Sequence, residues 1–154
     1  MALIFDTRFL ITHTFPPNIE DKKRLSKFLS KIIDKKIYIP SIVVVEYIKV
    51  AGKRIGSISA EMKVKAWINS GAKIISLTSQ TAFEAGKLAL KNPNIPIADI
   101  IIAALAQKLR AKVVTNDPHF KEIGIKNNMI HLDSIYYLCK LNPIHLKPST
   151  RILD

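Results

Sequence analysis

The sequence predicts an α/β fold: a three-layer α/β/α sandwich around a mostly parallel, roughly five-stranded sheet. Three observations carry this expectation. Short runs with strand character at 2–5, 37–39, 73–77, 112–115 and 129–132 alternate with longer helical stretches, the pattern of parallel strands joined by helical crossovers. Ala2–Phe5 is apolar throughout, as a strand covered on both faces is. Ile97–Leu109 is apolar on nearly every side, which describes a helix buried between layers. The 154 residues show no repeat and no linker, and 48% hydrophobic content supports one packed core.

The elements follow in order. Ala2–Phe5 forms a strand that stops on Asp6, and Thr7 opens a short helical stretch broken by Pro16 and Pro17. Residues 19–36 place Leu25, Phe28, Leu29, Ile32 and Ile33 on one face of an amphipathic helix, with Lys22, Lys23, Lys27, Lys31 and Lys35 on the other. Pro40 closes the strand at 37–39, and Ser41 is expected to cap a helix that runs on through Glu46. Ser57–Asn69 reads as a helix stopped by Gly71, followed by a strand at 73–77. Ser79 is expected to cap a further helix, which Asn92-Pro93 ends. The buried helix Ile97–Leu109 carries Asp99 in its first turn, and the strand at 112–115 leads into Asn116-Asp117. A last helix is expected at 134–141, with Cys139 in an apolar setting, and then an extended tail over 142–154. Trp67 and the tyrosines fall mostly at apolar helical positions and read as core.

Composition narrows the function. Lys and Arg number 24 against 12 Asp and Glu, a net charge of +12, which draws a polyanion over long range and is the footprint of nucleic-acid binding. A single cysteine excludes an internal disulfide and a multi-cysteine zinc site. The longest apolar stretch, 95–106, is interrupted by Asp99 and too short to span a bilayer, and Asp6 breaks the first hydrophobic run, so no signal peptide is expected. The chain is therefore expected to be soluble and cytoplasmic.

Four acids stand apart. Working sites of open α/β sheets lie beyond the carboxyl ends of the strands. Asp6 and Asp117 each follow a strand, while Glu46 and Asp99 lie early in helices that start at that same edge. Glu46 sits among Val43, Val44, Val45, Tyr47 and Ile48, where an unpaired carboxylate is costly unless it meets a cation. By contrast, Glu20, Asp21, Asp34, Glu61, Glu84 and Glu122 lie in polar or basic surroundings and read as solvated. Two carboxylates about 4 Å apart repel by about 4 kcal/mol at an effective dielectric near 20, so four together call for a metal. All-oxygen ligation favours Mg²⁺ or Mn²⁺ over zinc. His119 is read as a surface or packing residue, and His13, His131 and His145 lack ligand spacing.

Read in order, these segments resemble the PIN-domain ribonucleases, particularly the VapC-type toxins. Asp6-Thr7 is similar to the family's opening D-[ST] motif, and 40–46 (Pro-Ser-Ile-Val-Val-Val-Glu) to the segment bearing its second acid. The run 98–104 (Ala-Asp-Ile-Ile-Ile-Ala-Ala) is similar to D-x-x-I-A-A, and 115–120 (Thr-Asn-Asp-Pro-His-Phe) to T-x-D-x-x-F. The resemblance covers about residues 1–135 and implies a single PIN-like nuclease domain over 1–141. It implies metal-dependent cleavage of single-stranded RNA, with Asp6, Asp99 and Asp117 as direct ligands and Glu46 as a further ligand or the orienter of a water. Thr115 is expected to support an acid from behind, and Lys49 and Lys53, which follow Glu46 on its helix, to hold substrate. A homodimer and a small antitoxin protein are the partners implied. One position departs from the pattern: Arg8 stands where the family carries a small polar residue, placed to pair with an acid or to contact a substrate phosphate.

Other acid-bearing α/β classes fit less well. A phosphatase of the haloacid-dehalogenase type needs a second Asp two residues after the first, where Arg8 stands. A response-regulator receiver needs paired acids near the first strand. The alternative from another class is a catalytically silent PIN-like module that binds RNA or protein.

Overall fold

A computed structural model describes residues 1–125 and 129–131. Five strands, β1 (Ala2–Phe5), β2 (Lys36–Pro40), β3 (Lys73–Ile75), β4 (Ala111–Thr115) and β5 (Met129–His131), pair in the order β3-β2-β1-β4-β5. Every pairing is parallel, with Leu3 opposite Ile37 on one side and Lys112 on the other. Helices α1 (Thr7–Thr14), α2 (Ile19–Lys31), α3 (Ser41–Ile55) and α4 (Ser57–Asn69) lie on the crossovers running outward from β1 to β3. Helices α5 (Ser79–Lys91) and α6 (Ile97–Leu109) lie on the return crossover to β4, followed by the single turn α7 (His119–Glu122). Right-handed crossovers in opposite directions put the two groups on opposite faces, which gives the α/β/α sandwich.

The core forms where these layers meet. Leu3, Ile4 and Phe5 are wholly buried in the central strand, and Val113 and Val114 beside them. Phe5, Phe9, Phe28 and Trp67 pack as an aromatic cluster under α1, α2 and α4, with ring centroids 4.2–6.2 Å apart. On the other face α6 buries seven of its residues, among them Ile100, Ile102 and Ala103, as its uniformly apolar sequence requires. Tyr47 is buried as expected, its hydroxyl 2.7 Å from Thr14 Oγ1, whereas Trp67 and Tyr38 are only half-buried.

Several local expectations are corrected. Helix α2 stops at Lys31 with Ile32 as its C-cap, so Ile33 leaves the apolar face and is exposed. Ser41 and Ser79 are the first helical residues and not caps. The N-cap of α3 is Pro40, without a side-chain hydrogen bond, and that of α5 is Thr78, whose hydroxyl accepts from Thr81 N–H. Asp21 is buried, not solvated, because Asn18 donates to it and Arg24 pairs with it. The strand at 73–77 ends at Ile75. The helix expected at 134–141, Cys139 and the tail over 142–154 lie outside the described residues.

Candidate active site

The sheet reverses direction of winding between β1 and β4, and the crevice of such a sheet opens at that point, beyond the strand ends. Asp6 follows β1 there and acts as the N-cap of α1, its Oδ1 accepting Thr7 N–H at 2.6 Å. Thr115, the last residue of β4, spans the crevice. It is fully buried, donates its hydroxyl to Asp6 Oδ2 at 2.6 Å and accepts the Asp117 amide at 2.9 Å. One hydroxyl thus joins the side chain of Asp6 to the backbone of Asp117.

Asp117 and Asp99 meet from β4 and α6. Among the described residues, ligand atoms of Asp99, Asp117 and His119 all lie within 4.8 Å of one another. His119 Nδ1 is 2.8 Å from Asp99 Oδ2 and 3.1 Å from Asp117 Oδ1, and its backbone N–H donates to Asp117 Oδ1. The reading of His119 as a surface or packing residue is corrected: the one-turn helix α7 presents its ring to two acids. Glu46 and Asp6 fall outside the 4.8 Å group but adjoin it. Thr7 donates its hydroxyl to Glu46 Oε2 at 2.6 Å, so the backbone and side chain of one α1 residue bind Asp6 and Glu46. Thr7 is a second residue that the charge-based reading passed over. Asn116 Oδ1 is buried without a hydrogen-bond partner among the described residues.

Burial and mutual repulsion act on these acids together. Asp6 is pushed up to about 6, first by burial, with the hydrogen bonds from Thr115 and Thr7 opposing and the charges of Asp99 and Asp117 adding to the rise. Asp99 is raised as well, by burial first, with His119 opposing and Asp117 and Glu46 adding repulsion. His119 is raised, chiefly by its hydrogen bond to Asp99. Thr7 links Asp6 to Glu46, Thr115 links Asp6 to Asp117, and His119 links Asp117 to Asp99, so the four acids lie in one neighbourhood.

Arg8, on the first turn of α1, places Nε 2.8 Å from Asp117 Oδ2 while its side chain stays 57% exposed. Lys49 and Lys53 are exposed on α3, downstream of Glu46, and Arg54 lies over the Phe15 ring at 5.1 Å. A cleft of about 510 Å³ lies apart from the acids, between α1, α2 and α4, lined by residues including His13, Lys22, Lys63 and Trp67. No described helix is long and apolar enough to cross a membrane.

A parallel α/β/α sandwich with carboxylates gathered at its switch point defines the class of acid-centred α/β domains. Within that class the chain belongs to the PIN-domain family, whose model, described as "PIN domain", matches residues 3–126. Solved structures show the same fold. VapBC2 from Rickettsia felis, bound to a DNA fragment from its promoter, is 23% identical with a TM-score of 0.68, covering 85% of this chain and 97% of that one. The Mycobacterium tuberculosis toxin VapC20, described as sarcin-ricin loop cleaving, is 12% identical with a TM-score of 0.65, covering 80% and 95%. DNA-bound VapBC from Salmonella typhimurium is 19% identical with a TM-score of 0.65, covering 86% and 98%. No curated protein matches the chain. The PIN-domain fold and the clustered acids with His119 are consistent with metal-dependent nuclease activity.

Proposed function

We propose that this protein is a metal-dependent endoribonuclease that hydrolyses phosphodiester bonds of single-stranded RNA in the cytoplasm, as the toxin of a toxin–antitoxin pair. The observation that carries the reading is the convergence of Asp6, Glu46, Asp99 and Asp117 on one crevice of a strongly basic protein, with burial and repulsion raising Asp6 and Asp99. Ligation by carboxylate oxygens fits Mg²⁺ or Mn²⁺, and a cation relieves the repulsion that lifts these groups. Asp6, Asp99 and Asp117 are the residues to hold it, with Glu46 as a further ligand or the residue that orients the attacking water. A divalent ion bound there supplies polarisation of the scissile phosphate and activation of water.

The protein's own side chains then divide the remaining work. Thr115 holds Asp6 and Asp117 in register, and Thr7 fixes the angle of Glu46. Arg8, Lys49 and Lys53 bind backbone phosphates along the rim, where an open edge suits a polymer better than an enclosed pocket does. A single folded domain over 1–141 with a separate tail over 142–154 completes the reading of the chain. A second copy is the natural cover for the shallow apolar groove formed by Pro40, Ile42, Val45, Leu77, Ile101 and Leu105, a homodimer face. The VapBC relatives support a small antitoxin as the other partner.

Thermal melts with and without millimolar Mn²⁺, on wild type and Asp99→Asn, test the metal site. Stabilisation of the wild type that Asp99→Asn loses supports it, and no stabilisation of the wild type sinks it. Cleavage of defined RNA pools by wild type but not by Asp6→Asn supports the activity, whereas equal products from both mean a contaminating nuclease. The Arg8–Asp117 ion pair favours one second reading, a catalytically silent PIN-like module that binds RNA or protein. It is the reading left standing if RNA binds and neither metal response nor cleavage appears.

A further inference from the structure

The four carboxylates are not equally open to a cation. Asp6 is bound by neutral donors, the Thr7 amide and the Thr115 hydroxyl, which orient its charge without cancelling it. Asp99 Oδ1 and Glu46 Oε1 accept no hydrogen bond among the described residues. Asp117 is different, because both of its oxygens face nitrogen donors: Arg8 Nε at Oδ2, and the ring and amide of His119 at Oδ1. A guanidinium keeps its charge throughout the accessible pH range, so Arg8 holds a permanent positive charge at Asp117. The contact is made through Nε, and the guanidinium has further N–H groups able to donate to a phosphate oxygen.

We propose that Arg8 takes the place of a second metal: the protein binds one divalent ion among these carboxylates, and the guanidinium serves as the fixed second cation, at Asp117 Oδ2. The inference rests on the metal-site reading above and adds to it the number of ions. Four ionised carboxylates receive two positive charges from one divalent ion and one from Arg8, and a protonated His119, paired with Asp99 and Asp117, supplies the fourth before RNA adds its own negative charge. A second divalent ion would have to share Asp117 with a guanidinium 2.8 Å away, where like charges repel at short range. Arg8 would also approach substrate from the Asp117 side, joining the metal side of the site to the RNA backbone.

Calorimetric titration of Mn²⁺ alone into the full chain, freed of metal beforehand, reads the stoichiometry without reference to activity. The wild type is expected to bind one Mn²⁺ per chain. Arg8→Gln, which removes the charge, is expected to bind two, and Arg8→Lys, which keeps a cation, to stay at one. Because Arg8 is largely exposed, Arg8→Gln should fold, which a metal-free thermal melt checks. Electron paramagnetic resonance gives a second readout, with isolated Mn²⁺ expected in the wild type and an exchange-coupled pair in Arg8→Gln. Two ions in the wild type, or one ion in both wild type and Arg8→Gln whatever its affinity, overturns the inference and leaves the metal site standing. Absence of binding in both proteins removes the metal site and this inference together.

Discussion

Thr115→Val removes the one hydroxyl that joins two of the candidate ligands. Valine keeps the branching at Cβ and nearly the volume of threonine, so the strand is preserved and no cavity opens, but two buried hydrogen bonds disappear. Loss of a donor to an ionised acceptor costs about 2 kcal/mol, and a buried amide left without its acceptor about 1 kcal/mol more. The expected penalty is therefore about 3 kcal/mol at pH 7.5, where Asp6 is ionised. Its pH dependence is the sharper part. Burial already pushes Asp6 up to about 6, and the Thr115 hydrogen bond is the largest effect holding it down, so the variant's Asp6 must rise further. At pH 5 the carboxyl is mostly neutral in both proteins, and the penalty should shrink toward the amide's share, about 1 kcal/mol. Urea denaturation at the two pH values gives both numbers, with Thr115→Ser as the control that keeps the hydroxyl. A penalty under about 0.5 kcal/mol at pH 7.5, or one that grows at pH 5, would refute the hydroxyl's role in stabilising an ionised Asp6.

Asp6 and Asp99 both hold protons above the usual carboxylate range, and a metal must displace them. The rise in Tm produced by Mn²⁺ should be full above pH 7.5 and fade as pH drops through 6, and a shift independent of pH would place the ion elsewhere. Without metal the Asp6 contribution runs the other way. The folded chain keeps this proton between 3.8 and about 6, so stability is greatest below that window and declines by about 3 kcal/mol as pH rises through it, which stability curves against pH will show. Asp6→Asn removes the buried charge and should be at least as stable as wild type to urea at pH 7.5 while losing the Mn²⁺ response; marked destabilisation would mean that its caps outweigh its desolvation. Changing Lys49 and Lys53 together to Gln should weaken RNA binding and lower its salt slope by about 0.7 for each phosphate no longer neutralised, with Mn²⁺ binding intact. An unchanged slope would leave them as an ordinary solvated helix surface.

The fold was legible because its periodicities are strong. Ile97–Leu109 admits no solvated face, so its burial could be read directly, and Ser57–Asn69 carried a matching stop signal. The end of α2 was not legible, since Ile32 and Ile33 extend the helical apolar spacing, while the backbone turns at Ile32 with Lys35 N–H bonding its carbonyl. The caps lie one residue before Ser41 and Ser79: Thr78 is itself a capping residue type, whereas Pro40 starts α3 with no side-chain cap, which the Ser pattern does not anticipate. For the site, the convergence of the four acids followed from strand ends and helix starts alone. His119 was missed because a ring two residues from an acid has no fixed direction until the turn of α7 sets it. The contact between Thr7 and Glu46 spans 39 residues, and no local pattern encodes it.

The same geometry makes these carboxylates costly and useful. Because β1 and β4 adjoin at the reversal of strand order, the acids that follow them lie against the most apolar part of the molecule, beside Phe5 and Val114. That setting strips water from Asp6, and the fold answers with neutral donors: an amide and a hydroxyl, each placed by backbone that must be there to continue the chain. Neutral donors hold a carboxylate at a fixed angle and leave most of its charge for a ligand, whereas a lysine in the position of Thr115 would neutralise it outright. An excess of 12 basic residues could have supplied such cations many times over. Among the described residues only Arg8 and His119 form ion pairs with the four acids, and both do so from the exposed side, at the Asp117 and Asp99 oxygens. The arrangement preserves negative charge at the inner carboxylates and supplies positive charge at the rim, the order in which a metal and then an RNA phosphate would meet the site.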